Sequence, residues 1–198
     1  VQCDHNGDQG CNGGLMDHAF EYINKNGLSA EADYPYTPGS GVTGTCMATL
    51  PAKAVTVTGY KDIPVGDEDA LKSAVAMGPV SIAIEADKSA FQLYKSGVLD
   101  STECGQKLDH GVLTVGYGTD ASRGKDYWKV KNSWGATWGE SGYIRMVRGK
   151  NMCGIAQAAS YPTGAAAAGP SPPSPPGPSP PGKTHYGDPK DGCLSDEA

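Results

Sequence analysis

A chain of 198 residues is long enough for one ordinary domain or two small ones, and its 38% hydrophobic content suits a soluble core. The formal net charge of −6 leaves no basic stripe for nucleic acid and no polybasic face for anionic lipid. No stretch approaches the roughly 20 consecutive apolar residues of a membrane-spanning helix, so neither nucleic acid nor a bilayer span is expected.

The first 14 residues are loop-like, rich in Gly, Asn and Asp. Within them Gly13 and Gly14 either let the backbone approach another group closely or form a plain tight turn. Residues 15–26 predict a helix with Leu15, Ala19, Phe20 and Ile23 on one core-facing side, stopped by Gly27. A Tyr/Pro turn follows over 31–38, and residues 54–58 alternate as a strand. Asp67 is placed to cap a helix over 68–77, which Gly78-Pro79 terminates and which is expected to pack across a sheet. Residues 80–85 predict a strand with Val80, Ile82 and Ile84 on one face, and residues 89–94 a short helical turn. Runs around 112–117, 127–130 and 143–147 then read as successive antiparallel strands.

From Gly164 the composition changes to an Ala run and then to Pro, Ser and Gly through residue 182. Such a run buries no core and predicts an extended linker, with a ligand for a Pro-recognising domain or a hydroxylated, glycosylated stalk as alternatives. Residues 183–198 carry Cys193 and read as the start of a further disulfide-containing module. The six cysteines show no paired-dyad spacing of a zinc site, so disulfides, an oxidising compartment and no bound metal are expected. With no initiator Met and no signal peptide, the chain is expected to be a fragment.

The densest chemistry lies in Lys131-Asn132-Ser133-Trp134-Gly135, followed by Ala136-Thr137-Trp138-Gly139. An amide at the end of a strand holds an imidazole by its acceptor oxygen, and an adjacent indole keeps water off that bond; alternatively the Asn satisfies turn backbone while both Trp pack in a core. His110 opens an apolar strand earlier in the chain. A His at a strand mouth, an Asn in the next hairpin loop and a Trp lid describe the base and orienting residue of a thiol nucleophile, which attacks as a thiolate.

With these residues, and with the run from Gln9 to Asp17 (QGCNGGLMD), the EADYPY run at 31–36 and Cys153-Gly154-Ile155-Ala156, the chain from Val1 to about Thr163 resembles the papain-like cysteine peptidases, especially their cathepsin L-like branch. The resemblance implies an α+β, two-lobed fold. Here it comprises the end of the helical lobe and the antiparallel, barrel-like lobe, as an N-terminally truncated peptidase domain over 1–163, with the Pro-rich linker after it. The implied activity is endopeptidase acyl transfer through a thioester, with His110 as acid and base, Asn132 fixing its ring, Trp134 shielding the contact and Trp138 supporting the loop. The family's Cys-Trp signature and oxyanion Gln match nothing in this chain and are expected upstream of Val1, so the fragment alone is expected to be inactive. Cys11 is the one alternative nucleophile, although its motif matches a structural disulfide half.

The resemblance also assigns substrate binding to Gly13, Gly14, Leu15, Met16, Ala83, Leu108, Asp109 and Ala158. Gly14 would offer backbone hydrogen bonds to an extended peptide. Leu15, Met16, Ala83, Leu108 and Ala158 would line the pocket for the side chain two residues before the scissile bond. Cys3 is expected to bond Cys46 and Cys104 to bond Cys153, each worth roughly 4 kcal/mol in the chain-entropy account; Cys11 is expected to lack its family partner. Implied partners are protein or peptide substrates, a pro-segment and cystatin-like inhibitors, with no cofactor and no metal. A monomer in a lysosome or vacuole, or secreted, is expected. The competing reading is a non-catalytic homologue acting as a binding or storage protein, which has no chemical need of His110, Asn132 and Trp134 together.

Overall fold

A computed structural model describes residues 1–168. In chain order the elements are α1 (Met16–Asn26), β1 (Leu28–Ser29), β2 (Lys53–Thr56), β3 (Gly59–Asp62), α2 (Glu68–Val75), β4 (Val80–Ile84), α3 (Ser89–Gln92), β5 (Val98–Leu99), β6 (His110–Asp120), β7 (Lys125–Lys131), β8 (Tyr143–Val147), β9 (Ala158–Thr163) and β10 (Ala166–Ala167). Seven strands form one sheet in the order β3-β9-β4-β6-β7-β8-β5, and β1-β2-β10 form a second. The fold is α+β, and the larger sheet is open: β3 and β5 are its edges. All its pairings are antiparallel except that of β5 with β8.

The sheet forms where apolar residues alternate. Val80, Ile82 and Ile84 of β4, Trp128 and Val130 of β7, and Ile144 and Met146 of β8 are all fully buried. This is the period of two that a pleated strand imposes on its faces. Helix α2 lies across β4 and β6 and seals the core with Leu71. Its cap is local chemistry: Asp67 accepts from Ala70 N at 2.8 Å, satisfying an N–H the first helical turn leaves unpaired. Helix α1 differs from expectation. None of its residues is fully buried and Leu15 is 52% exposed. Phe20 stacks on Tyr60 at 6.1 Å, while Ala19 and Ile23 instead line a groove of 520 Å³.

Other departures are short. Strands β1, β5 and β10 have two residues each, too few to show alternation. Ala166 and Ala167, read from composition as linker, instead pair with Thr56 and Val55 on the edge of β2. The Pro-rich run and the segment carrying Cys193 lie outside the described residues. Cys3 is bonded to Cys46 and Cys104 to Cys153. Cys11, expected to lack its family partner, is disulfide-bonded.

Two carboxylates tie distant elements together. Glu68, in the first turn of α2, accepts from Trp128 Nε1 at 2.8 Å, from Gly149 N at 2.7 Å and from Asn151 N. Glu140, just before β8, accepts from Arg145 Nε at 2.8 Å and Nη2 at 2.6 Å and from Gly97 N at 2.9 Å. The Arg145 hydrogen bonds hold the Glu140 carboxyl below its usual range, against an opposing contribution from burial. Arg145 also reaches Asp120 through Nη1 at 2.9 Å and lies over the Tyr127 ring.

Glu68→Ala strands the indole N–H of fully buried Trp128 and two backbone amides, and is expected to lower stability by about 2 to 3 kcal/mol, with Glu68→Gln costing less. Urea unfolding of both variants checks this; equal losses would contradict it. Because folding lowers the Glu140 pKa, its stabilisation is full above the unfolded carboxylate range and is lost as pH falls through the folded value. The stability gap between the native chain and Arg145→Met is therefore expected to be widest near neutrality and to narrow steadily below about pH 4. Thermal unfolding across that range measures it, and a gap constant with pH would show that packing alone is involved.

Candidate active site

His110 is the first residue of β6 and pairs with Ile84 on β4; Asn132 follows the last residue of β7. Since β6 and β7 are adjacent and antiparallel, the start of one lies beside the end of the other, which brings together two residues 22 apart in sequence. His110 Nε2 and Asn132 Oδ1 are 2.8 Å apart, with His110 4% and Asn132 7% exposed. The amide orientation follows from a neighbour. Ser133 N donates to the same Oδ1 at 2.8 Å, and a backbone N–H requires an acceptor there. Nε2 therefore carries the proton donated to Asn132.

Aromatic rings wall this contact. Trp134 stacks on the imidazole with centroids 5.0 Å apart and planes at 29°. Phe91 meets His110 edge-on at 6.4 Å and Trp134 at 5.5 Å. Trp138 closes the cluster against Phe91, Tyr94 and Trp134, and its Nε1 donates to Gln92 O at 3.0 Å. Burial of the ring pair strengthens the His110–Asn132 bond by excluding competing water. Phe91 and Tyr94 were legible only as apolar members of a helical turn; their place in this cluster is set by the chain's return through β8, where Arg145 N donates to Tyr94 OH at 3.3 Å.

The loop holding Asn132 is tightly fixed. Asn132 N donates to Gly142 O at 3.0 Å and Gly142 N to Trp138 O at 2.8 Å. Gly139 has φ 56°, and a Cβ there would fall 2.5 Å from Tyr143 O, so a side chain would displace backbone. Glu140, braced by Arg145, continues the same loop.

A groove of 830 Å³ is lined by Gly13, Gly14, Leu15 and Met16 together with Gly111, Val112, Asn132, Ser133 and Tyr143. Four of the expected substrate-binding residues thus share one groove with Asn132. Gly14 is exposed, and its N–H and C=O make no hydrogen bond among the described residues. Ala83, Leu108, Asp109 and Ala158 do not line that groove. Ala83 pairs with Gly111 on one side and Ala158 on the other, which places it one residue from His110 in register. Leu108 packs towards Gly154, and Asp109 Oδ1 accepts from Ala86 N at 2.7 Å, pinning the backbone that enters β6. Among the described residues no cluster of three or more His, Cys, Asp or Glu is arranged to hold a metal, and no helix is long and apolar enough to cross a membrane.

Residues 1–163 match the family described as papain family cysteine protease. Cathepsin L of Sarcophaga peregrina is 58% identical over 161 residues, which cover 79% of this chain and 46% of that protein. Cysteine proteinase RD21A of Arabidopsis thaliana is 55% identical over 168 residues, 82% of this chain and 35% of that one. The chain therefore spans less than half the length of these curated relatives. Among solved structures, the bromelain protease from Ananas comosus in complex with the E64 inhibitor aligns with a TM-score of 0.74 and 43% identity, covering 81% of this chain and 74% of that one. Digestive procathepsin L 3 of the Tenebrio molitor larval midgut aligns with a TM-score of 0.74 and 46% identity, covering 82% and 53%. With the family matched over most of its length, the chain belongs to the papain family of cysteine proteases.

Proposed function

We propose that the protein is a cysteine-type endopeptidase in which a thiolate attacks the peptide carbonyl, His110 protonates the leaving amine, and water hydrolyses the resulting thioester. The observation that carries this reading is the buried His110–Asn132 hydrogen bond under Trp134 in a chain of this family. Asn132 fixes the ring and its tautomer, and Trp134 and Trp138 keep the pair dry. The described cysteines are all disulfide-bonded. None of the chain's six cysteines stands in a Cys-Trp signature, so this reading assigns the nucleophile and its oxyanion donor to polypeptide beyond the sequence, and the chain alone is expected to be inactive.

The same reading makes residues 1–163 the peptidase unit, the Pro-rich run that follows the paired Ala166–Ala167 a spacer and residues 183–198 the start of a further module. Its partners are protein or peptide substrates, with a pro-segment and cystatin-like inhibitors; three of the similar solved structures are proforms. A monomer is proposed, and the disulfides suit a lysosomal, vacuolar or extracellular setting.

In the full-length protein His110→Ala is expected to abolish acylation, while Asn132→Ala leaves a measurable rate lowered by about tenfold or more, since Asn only orients what His performs. Single-turnover kinetics with a fluorogenic peptide decides; near-normal acylation by the His110 variant would sink the assignment. Leu15, Met16, Ala83, Leu108 and Ala158 are apolar, so an Arg side chain two residues before the scissile bond finds no acid at Ala158. Leu, Phe or Val is expected there, preferred by roughly tenfold or more in kcat/KM. Cleavage of a peptide library giving equal or better rates for Arg would refute this.

A further inference from the structure

The run 13–16, which lines the same groove as Asn132, depends on a side-chain pair the proposed chemistry leaves unused. Asp8 Oδ1 accepts from Leu15 N at 2.9 Å and lies 3.0 Å from His18 Nδ1. The carboxylate side chain is 14% exposed and the imidazole 30%, so both are largely enclosed. Space around them is restricted on both sides. A Cβ on Gly14 would fall 2.5 Å from Asp8 Cγ, and one on Gly7 would fall 2.5 Å from His18 Cε1. Gln9 N donates to Gly13 O at 2.9 Å, closing the loop that carries Asp8 onto the run it holds.

Glu21 accepts from Tyr60 OH at 3.4 Å, and Asp4 Oδ1 accepts from Asn6 N at 3.2 Å. Asp8 is the carboxylate that His18 meets, and it lines both grooves.

We propose that Asp8 and His18 are positioning residues for substrate: the carboxylate holds Leu15 N–H and so presents the Gly14 backbone to an extended peptide, while His18 holds the carboxylate. This rests on the peptidase reading for its substrate. Leu15 N–H and the Gly14 carbonyl belong to the same planar peptide unit, so releasing the N–H lets that carbonyl swing out of register with a peptide strand. A bound strand requires donor and acceptor in fixed alternation, so the loss falls on binding rather than on the chemical step.

The test compares Asp8→Ala, which removes the acceptor, with Asp8→Asn, which keeps an acceptor oxygen for Leu15 N and a polar partner for His18. In the full-length peptidase, Asp8→Ala is expected to raise KM about tenfold with kcat within about twofold, Asp8→Asn to stay within about threefold of native KM, and His18→Phe to fall between. Equal effects of Ala and Asn, or a loss confined to kcat, would overturn the proposal. Amide hydrogen exchange in the 198-residue chain gives a readout that needs no activity. Leu15 N–H is expected to exchange about tenfold faster in Asp8→Ala and near the native rate in Asp8→Asn. If the native full-length protein cleaves no peptide, the peptidase reading fails while exchange still decides the anchor: unchanged Leu15 exchange in Asp8→Ala overturns it.

Discussion

Asn132 Oδ1 accepts two hydrogen bonds, one from the backbone of Ser133 and one from His110. The first is a local consequence of the turn after β7; the second is not, and it depends on the first. Were the amide free to rotate, its NH₂ group would face Nε2 and favour the other imidazole tautomer. A single backbone N–H thus selects, through Asn132, the protonation geometry of a residue 22 positions from that amide. The rest of the lobe keeps that arrangement from relaxing. The sheet brings the ends of β6 and β7 together, the Trp134, Trp138 and Phe91 rings close over them, and Glu140 with Arg145 fixes the loop from behind.

Rigid and less rigid parts are distributed unevenly around the cleft. On the His110 side, the strands belong to a seven-stranded sheet with a continuous apolar core. Elsewhere on the groove, the run 13–16 leads into α1, which buries none of its residues fully. The run that leads into α1 therefore relies on tethers: the Asp8 hydrogen bonds and the Cys3–Cys46 bond. Tethers of this kind hold a backbone in place with few packed contacts.

What was legible in the sequence was whatever is encoded locally. Strand alternation located β4 and β7, Asp67 announced the start of α2, and the Asn-Ser-Trp run drew attention to its loop. Glu68 was legible as a first-turn acid, but its partners lie 60 to 83 residues ahead, and no local pattern reports such a reach. The apolar face of α1 predicted burial that the described residues do not supply, because periodicity states which side is apolar and not what covers it. Two-residue strands escape any periodic test. The Asp8–His18 contact escaped for a further reason: each residue taken alone reads as loop or helix surface, and only the turn through Gly13 and Gly14 makes them neighbours.

The burial of the sulfurs bears on how the molecule tolerates its surroundings. A catalytic thiol of the kind proposed survives only where reductant is present, yet the loop entering His110 is joined by Cys104 to Cys153. Exchange requires a thiolate to approach along the sulfur–sulfur axis; Cys153 is 1% exposed, while Cys104 is only partly buried, as are Cys3 and Cys46. A small thiol in solution is therefore confined to the Cys104 sulfur at the bridge that enters β6, but meets either sulfur of Cys3–Cys46, so two bridges of one molecule differ in kinetic access within a single redox environment.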